Sequence, residues 1–127
     1  MNDRDDENKV KTLNAVQRGR IGERIALQFL KNKGYTIIAT GFRTRFGEID
    51  IIAENTGFLT FTEVKMRKNH NFAYAREHVN KPKQKKITAT ANIWLMKNHT
   101  ALQPRFDVIE IYTERKEIIH IKNAFNV

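Results

Sequence analysis

Three strand-like runs stand close together in this chain, and they limit its fold more than any other feature. Tyr35–Arg43 is rich in Thr and Ile, Glu48–Ala53 is apolar around one aspartate, and Phe58–Lys65 follows within a few residues. The connections, Thr44–Gly47 and Glu54-Asn55-Thr56-Gly57, have turn composition and are too short for a crossover. The runs must therefore pair as an antiparallel meander.

Helical patterns flank the meander. Ile21, Ile25, Ala26, Phe29 and Leu30 recur at helical spacing, with order expected to begin near Gly19, Lys31 and Lys33 in the last turn, and Gly34 closing the helix. A second helix is predicted over Pro82–Asn98, with Ile87, Ala91, Trp94 and Leu95 on one face and Pro82 near its start. Phe106–Thr113 and Glu117–Lys122 read as two further strands, and Met66–Asn80 as a loop. The order α-β-β-β-α-β-β predicts an α/β fold, a mixed sheet flanked by helices. Residues 1–17 are expected to be a disordered lead-in and 18–127 a single domain, which suits a chain of 127 residues.

Charge narrows the partners. Lys and Arg number 23 against 14 Asp and Glu, a formal charge of +9, so a polyanion is the natural partner, nucleic acid ahead of a membrane surface. A merely basic surface accounts for charge alone equally well. The absence of cysteine excludes disulfides and thiolate zinc sites. The polar start, Met1–Glu7, does not resemble a secretory signal, and no run reaches the roughly 18 apolar residues of a membrane span, so a cytoplasmic protein is expected.

The chemistry concentrates in Gly47-Glu48-Ile49-Asp50-Ile51-Ile52-Ala53 and Phe61-Thr62-Glu63-Val64-Lys65. A charge inside an apolar strand is costly without a partner. Strand alternation puts Glu48 with Asp50 and Glu63 with Lys65. If Ala53 pairs with Phe58, Glu48 falls opposite Glu63 and Asp50 opposite Phe61, with all four polar groups on one side. Carboxylates about 5 Å apart repel by roughly 3 kcal/mol at an effective dielectric near 20. Lys65 offsets part of that, and a hard divalent cation, Mg²⁺ or Mn²⁺, would offset more. The plain alternative is a cross-strand salt bridge from Lys65 to one acid.

Glu23, expected in the first turn of helix one, sits about 20° from Leu30 on a helical wheel, where it could reach the sheet. The alternative is a carboxylate favoured by the helix N-terminus. Lys65–Lys86 holds eight basic residues (Lys65, Arg67, Lys68, Arg76, Lys81, Lys83, Lys85 and Lys86) and one acid, Glu77, with Phe72 and Tyr74 interleaved. Four lysines crowd the start of helix two, where the dipole disfavours cations. A phosphate there would gain from the lysines and free backbone N–H groups; a solvated lysine face is the alternative. His70, His78, His99 and His120 lack metal-ligand spacing and read as surface or packing residues. Trp94 reads as core, and Asp107 as either structural or a support to the site.

Gly22-Glu23, Gly34-Tyr35, Phe42-Arg43, Gly47-Glu48-Ile49-Asp50, Glu63-Val64-Lys65 and Arg105-Phe106-Asp107, in that order over about residues 18–111, resemble the bacterial YraN-like family. That family is similar to the PD-(D/E)xK nucleases, especially archaeal Holliday-junction resolvases. The resemblance implies a restriction-endonuclease-like core and a Mg²⁺-dependent (or Mn²⁺-dependent) nuclease acting on branched or structured DNA. It implies catalytic Glu23, Asp50, Glu63 and Lys65, with Asp50 and Glu63 as metal ligands. Gln84 is a weaker match to a polar residue near substrate, and no proline precedes Asp50. Arg43, Arg45, Arg67, Lys68, Lys81, Lys83, Gln84, Lys85 and Lys86 are the expected nucleic-acid contacts, DNA ahead of RNA. A two-fold junction would suggest a homodimer. The rival expectation is a non-catalytic nucleic-acid-binding module, and a basic accessory protein for structured RNA is a third.

Overall fold

In the computed structural model, residues 14–68 and 79–126 are described. The elements run α1 (Ala15–Asn32), β1 (Thr36–Thr44), β2 (Gly47–Asn55), β3 (Phe58–Arg67), α2 (Lys81–Lys97), β4 (Gln103–Tyr112) and β5 (Glu117–Phe125). The expected order holds. The sheet is mixed, ordered β1-β2-β3-β4-β5, and only β3 and β4 are parallel, joined through α2. Phe72, Tyr74, Arg76, Glu77, His70 and His78, with most of the expected loop, lie outside the described residues.

Helix α1 starts earlier than its apolar pattern. Asn14 caps it by accepting from Gln17 N at 2.9 Å, and the Gln17 side chain returns the bond to Asn14 N at 3.1 Å, a reciprocal capping box. The first turn, Ala15-Val16-Gln17-Arg18, is wholly exposed, so no buried stripe reveals it. Glu23 is therefore two turns inside the helix, not in its first turn. The far end closes as the sequence predicts. Gly34, at φ +89°, donates to Lys31 O, and Tyr35 N donates to Leu30 O, the paired bonds of a Schellman motif.

The two helices cover opposite sheet faces. Ala26, Leu30, Tyr35, Ile51, Ala53, Ile109 and Ile111 form the core under α1. Ile49, Ile52, Leu59, Phe61, Ile87, Ala91 and Val108 form the core under α2. Trp94 stands edge-on to Phe42 at 5.2 Å at the margin of that second core. Ile25, placed by spacing on the apolar stripe, is 37% exposed, and Gly22 is buried instead. At Gly22 the helix packs directly on β3, where an added Cβ would stand in ordinary contact 3.4 Å from Met66 Cβ.

The β2–β3 register differs from the expected one by two residues. Asn55 pairs with Phe58 and Ala53 with Thr60, so the turn is only Thr56-Gly57. Both turn residues have positive φ, as a type I′ hairpin requires. Pairing of β2 with β3 extends only to Ile51 and Thr62, whereas β2 continues along β1 to Gly47 and β3 along β4 to Arg67. The two strands thus fork at Asp50 and Glu63.

Candidate functional site at the strand fork

A fork in a sheet leaves backbone donors without ladder partners. Here the Val64 N–H is taken by the carboxylate of Asp50 at 2.7 Å. Side-chain alternation also breaks at this point. Ile49 and Ile52, three positions apart, both join the α2-side core, while Ile51 lies in the α1-side core. Gly41, which the β1–β2 register sets against Asp50, has φ +60°. Asp50 therefore points along the sheet towards β3, and the shared face expected for Glu48 and Asp50 does not follow from alternation.

Continuing the register puts Glu63 opposite Asp50, rather than opposite Glu48 as expected. Lys65 Nζ lies 3.5 Å from Glu63 Oε1, and Lys83 Nζ, from the first turn of α2, lies 2.8 Å from the same oxygen. Lys65 thus pairs within its own strand rather than across strands as expected, and Lys83 is the closer partner of Glu63. Glu48 is held outward by Arg43 at 3.0 Å. Glu23, next to the Gly22 contact with β3, lies near enough to feel the charges of Glu48 and Asp50.

Electrostatics bind these groups into one site. Burial, then the charge of Glu63, push the Asp50 carboxyl up to about 7; Glu48 and Glu23 add to this, against the Val64 hydrogen bond. Burial and Glu48 also raise Glu23 above the ordinary carboxylate range. Because Glu23 is remote from the helix N-terminus, the helix-dipole explanation for it falls away. Burial, with Lys83 beside it, holds Lys65 below the ordinary lysine range against the pull of Glu63. Burial acts to lower Lys83 too, but its bonds to Glu63 and Lys65 and the nearby carboxylates outweigh that and leave it raised.

Fit to a divalent cation is partial. Among the described residues no three Asp, Glu or His side chains already stand as a ligand set. Asp50 and Glu63 offer two hard carboxylates on adjoining strands, and Mg²⁺ is commonly held by one or two carboxylates plus waters and substrate phosphates. Burial, then the neighbouring carboxylates, hold Asp50 partly protonated near neutral pH; a cation would neutralise that carboxylate charge, while Glu63 would have to exchange a lysine for it.

The basic residues divide into two groups. Lys81, Lys85, Lys86 and Lys68 are exposed, as are Arg43 and Arg45 near the β1–β2 turn. Arg67 instead turns inward, its side chain 13% exposed and 3.6 Å from buried Glu110. Gln84 donates to Val79 O at 2.8 Å, so it holds the start of α2 together. The helix start is also less open to phosphate than the sequence suggests, because Asn80 caps it by accepting from Lys83 N at 3.0 Å.

Asp107 belongs to a separate group under α1. Arg105 grips it with two bonds of 2.8 Å, His120 Nε2 lies 2.8 Å away, and Asn123 N donates at 3.0 Å. Arg105 also donates to Tyr35 Oη at 2.9 Å, tying β4 to the end of α1. Burial would raise Asp107, yet these partners hold it below the ordinary carboxylate range. It is structural, and His120 is the packing residue expected. Sequence reasoning missed the tie between Lys83 and Glu63 and the buried Glu110. The crowding of lysines at the start of α2, against the helix dipole, was the available signal for the first.

Comparison with known proteins agrees with the resemblance. Residues 22–111 match the family described as uncharacterised protein family UPF0102. A UPF0102 protein of Clostridioides difficile is 43% identical over 114 residues, covering 89% of this chain and 100% of the relative. One of Acetivibrio thermocellus is 47% identical over 116 residues, covering 84% and 89%, and one of Persephonella marina 41% over 111, covering 87% and 94%. The matched span runs from the glycine that seats α1 on β3, through the fork, to the end of β4, and the chain belongs to the UPF0102 family.

Proposed function

We propose that the fork between β2 and β3 is the active site of a divalent-cation-dependent nuclease that hydrolyses phosphodiester bonds in branched or otherwise structured DNA. The observation that carries this reading is the convergence of Asp50, Glu63 and Lys65 where the two strands part, with Glu23 approaching from α1 and Lys83 from α2. Asp50 and Glu63 are the residues that would hold Mg²⁺ or Mn²⁺. A cation bound there would act as a Lewis acid towards a phosphodiester oxygen and acidify a water. Lys65, held below its ordinary range, is suited to orient the attacking water and to share a proton with it, and its charged form stabilises charge developing on phosphate oxygens. Glu23 supplies a further acceptor for a water at the fork. Exposed Lys81, Lys85, Lys86, Lys68, Arg43 and Arg45 would grip the backbone. DNA takes precedence over RNA, a cytoplasmic setting and a homodimer on two-fold junctions belong to the same reading, and no helix among the described residues is long and apolar enough to cross a membrane.

A second reading has its own support. Two lysines already neutralise Glu63, which suits a nucleic-acid-binding module that keeps the fold without turnover. Cleavage of duplex, single-stranded, flap and four-way-junction DNA with Mg²⁺ or Mn²⁺, by wild type and Asp50→Asn, separates the two. The nuclease reading expects metal-dependent cleavage of at least one substrate, abolished in the variant while binding persists or tightens. Binding without cleavage by either protein favours the module, and preference for structured RNA in competition would favour the accessory-protein alternative.

A further inference from the structure

The β1–β2 turn is closed by the Thr44–Gly47 pair, so its tip is Arg45-Phe46. Phe46 is 39% exposed, and the Arg45 guanidinium lies over its ring, 4.7 Å from the centroid. A lone exposed aromatic is ordinary. What sets this one apart is how firmly its backbone is held. Thr44 Oγ1 accepts from Phe46 N at 3.1 Å and lies 3.2 Å from Thr90 Oγ1 on α2. Gly47 packs against α2 as well, where an added Cβ would stand 3.5 Å from Lys86 Cβ. The tip is therefore pinned beside the lysine-bearing end of α2, and its aromatic ring is partly open to solvent. Phe46 also stands in the turn one residue before β2 and four residues before Asp50, so within about 13 Å of it along the chain, the rise of about four stacked nucleotides.

We propose that Phe46, backed by Arg45, is a stacking platform for an unpaired nucleobase of the strand whose phosphates run past Lys86 and Lys83 to the fork. The proposal rests on the nucleic-acid reading above and narrows its substrate to DNA that presents an unstacked base, as flaps, gaps and branch points do. An aromatic ring stacks on any base without reading its edges, so the platform selects for strand structure and not for sequence. An arginine on the ring adds a cation at the same place to pair with the phosphate of the stacked nucleotide.

The test uses the full chain and three fluorescently labelled probes: a single strand, the same strand with abasic positions, and a blunt duplex. Wild type, Phe46→Ala and Phe46→Trp are compared for affinity, and 2-aminopurine in the single strand reports stacking. The proposal expects Phe46→Ala to lose about tenfold on the base-bearing single strand, with little change on the abasic strand and duplex. Phe46→Trp is expected to restore binding and 2-aminopurine quenching. Equal losses on all three probes, or none on any, would overturn the platform while leaving the nucleic-acid reading standing. Wild type that binds no probe would overturn the platform, and binding of no flap or four-way-junction DNA either would overturn the nucleic-acid reading with it.

Discussion

Replacing Asp50 with asparagine should stabilise this protein in the absence of metal, although the change removes a charge from its most suggestive residue. A carboxyl that titrates at about 7 in the folded chain and near 3.8 unfolded opposes folding once it is ionised. That difference corresponds to about 4 kcal/mol at pH 8, and partial solvent screening of a half-buried group reduces it to about 2 kcal/mol. The sign follows from linkage: the folded value is raised, so the group's favourable contribution is complete below pH 4 and is lost as pH climbs through 7. Asparagine keeps an acceptor for the Val64 N–H and discards the repulsion from Glu63, Glu48 and Glu23. Thermal melts of both proteins in chelator, from pH 4 to pH 8, are the assay. The variant is expected to melt about 6–10 °C higher at pH 8 and at the same temperature near pH 4. Adding Mg²⁺ at tenfold its dissociation constant should return about 1.4 kcal/mol to wild type and nothing to the variant. A gain independent of pH, or a loss at pH 8, would refute the claim that uncompensated carboxylate charge sits at the fork.

Other consequences are separately measurable. Cation binding must displace the proton that Asp50 carries near neutrality, so calorimetry at pH 6 in buffers of different ionisation enthalpy should read about 0.9 proton released per Mg²⁺, falling towards zero above pH 8. Lys83→Met removes the closest competitor for Glu63 and should tighten cation binding, whereas Lys81→Met should leave it unchanged and lower the salt slope of DNA binding by about 0.9; equal effects from both would place Lys83 on the surface rather than in the site. Asp107→Ala strips Arg105 and His120 of a buried partner and should cost about 3–5 kcal/mol in urea denaturation. Because Asp107 is held below the ordinary carboxylate range, its contribution is present above that range and should be lost as pH falls through the lowered value.

The sequence revealed the parts of this molecule that depend on side-chain periodicity and missed those that depend on how strands separate. Helix, meander, helix and final strand pair follow from apolar spacing and short connections, and Gly34 marked its own left-handed position. Asp50, Glu63 and Lys65 were visible as polar residues in apolar strands. Their arrangement was not, because it turns on a two-residue I′ turn at Thr56-Gly57 and on a ladder that stops at Ile51 and Thr62. Register fixes which residues face each other only while the ladder lasts. Beyond it, Asp50 bonds a backbone donor that periodicity cannot anticipate, and Lys83 arrives from a helix 20 residues later to take Glu63. The same fork explains why one aspartate can serve two ends. As a cap on Val64 it holds the strands at their parting, and as a half-buried acid among three other carboxylates it is costly to ionise. A purely structural cap would be better made of asparagine, which offers the acceptor without the repulsion. That asparagine is absent is the physical reason to look for a ligand here.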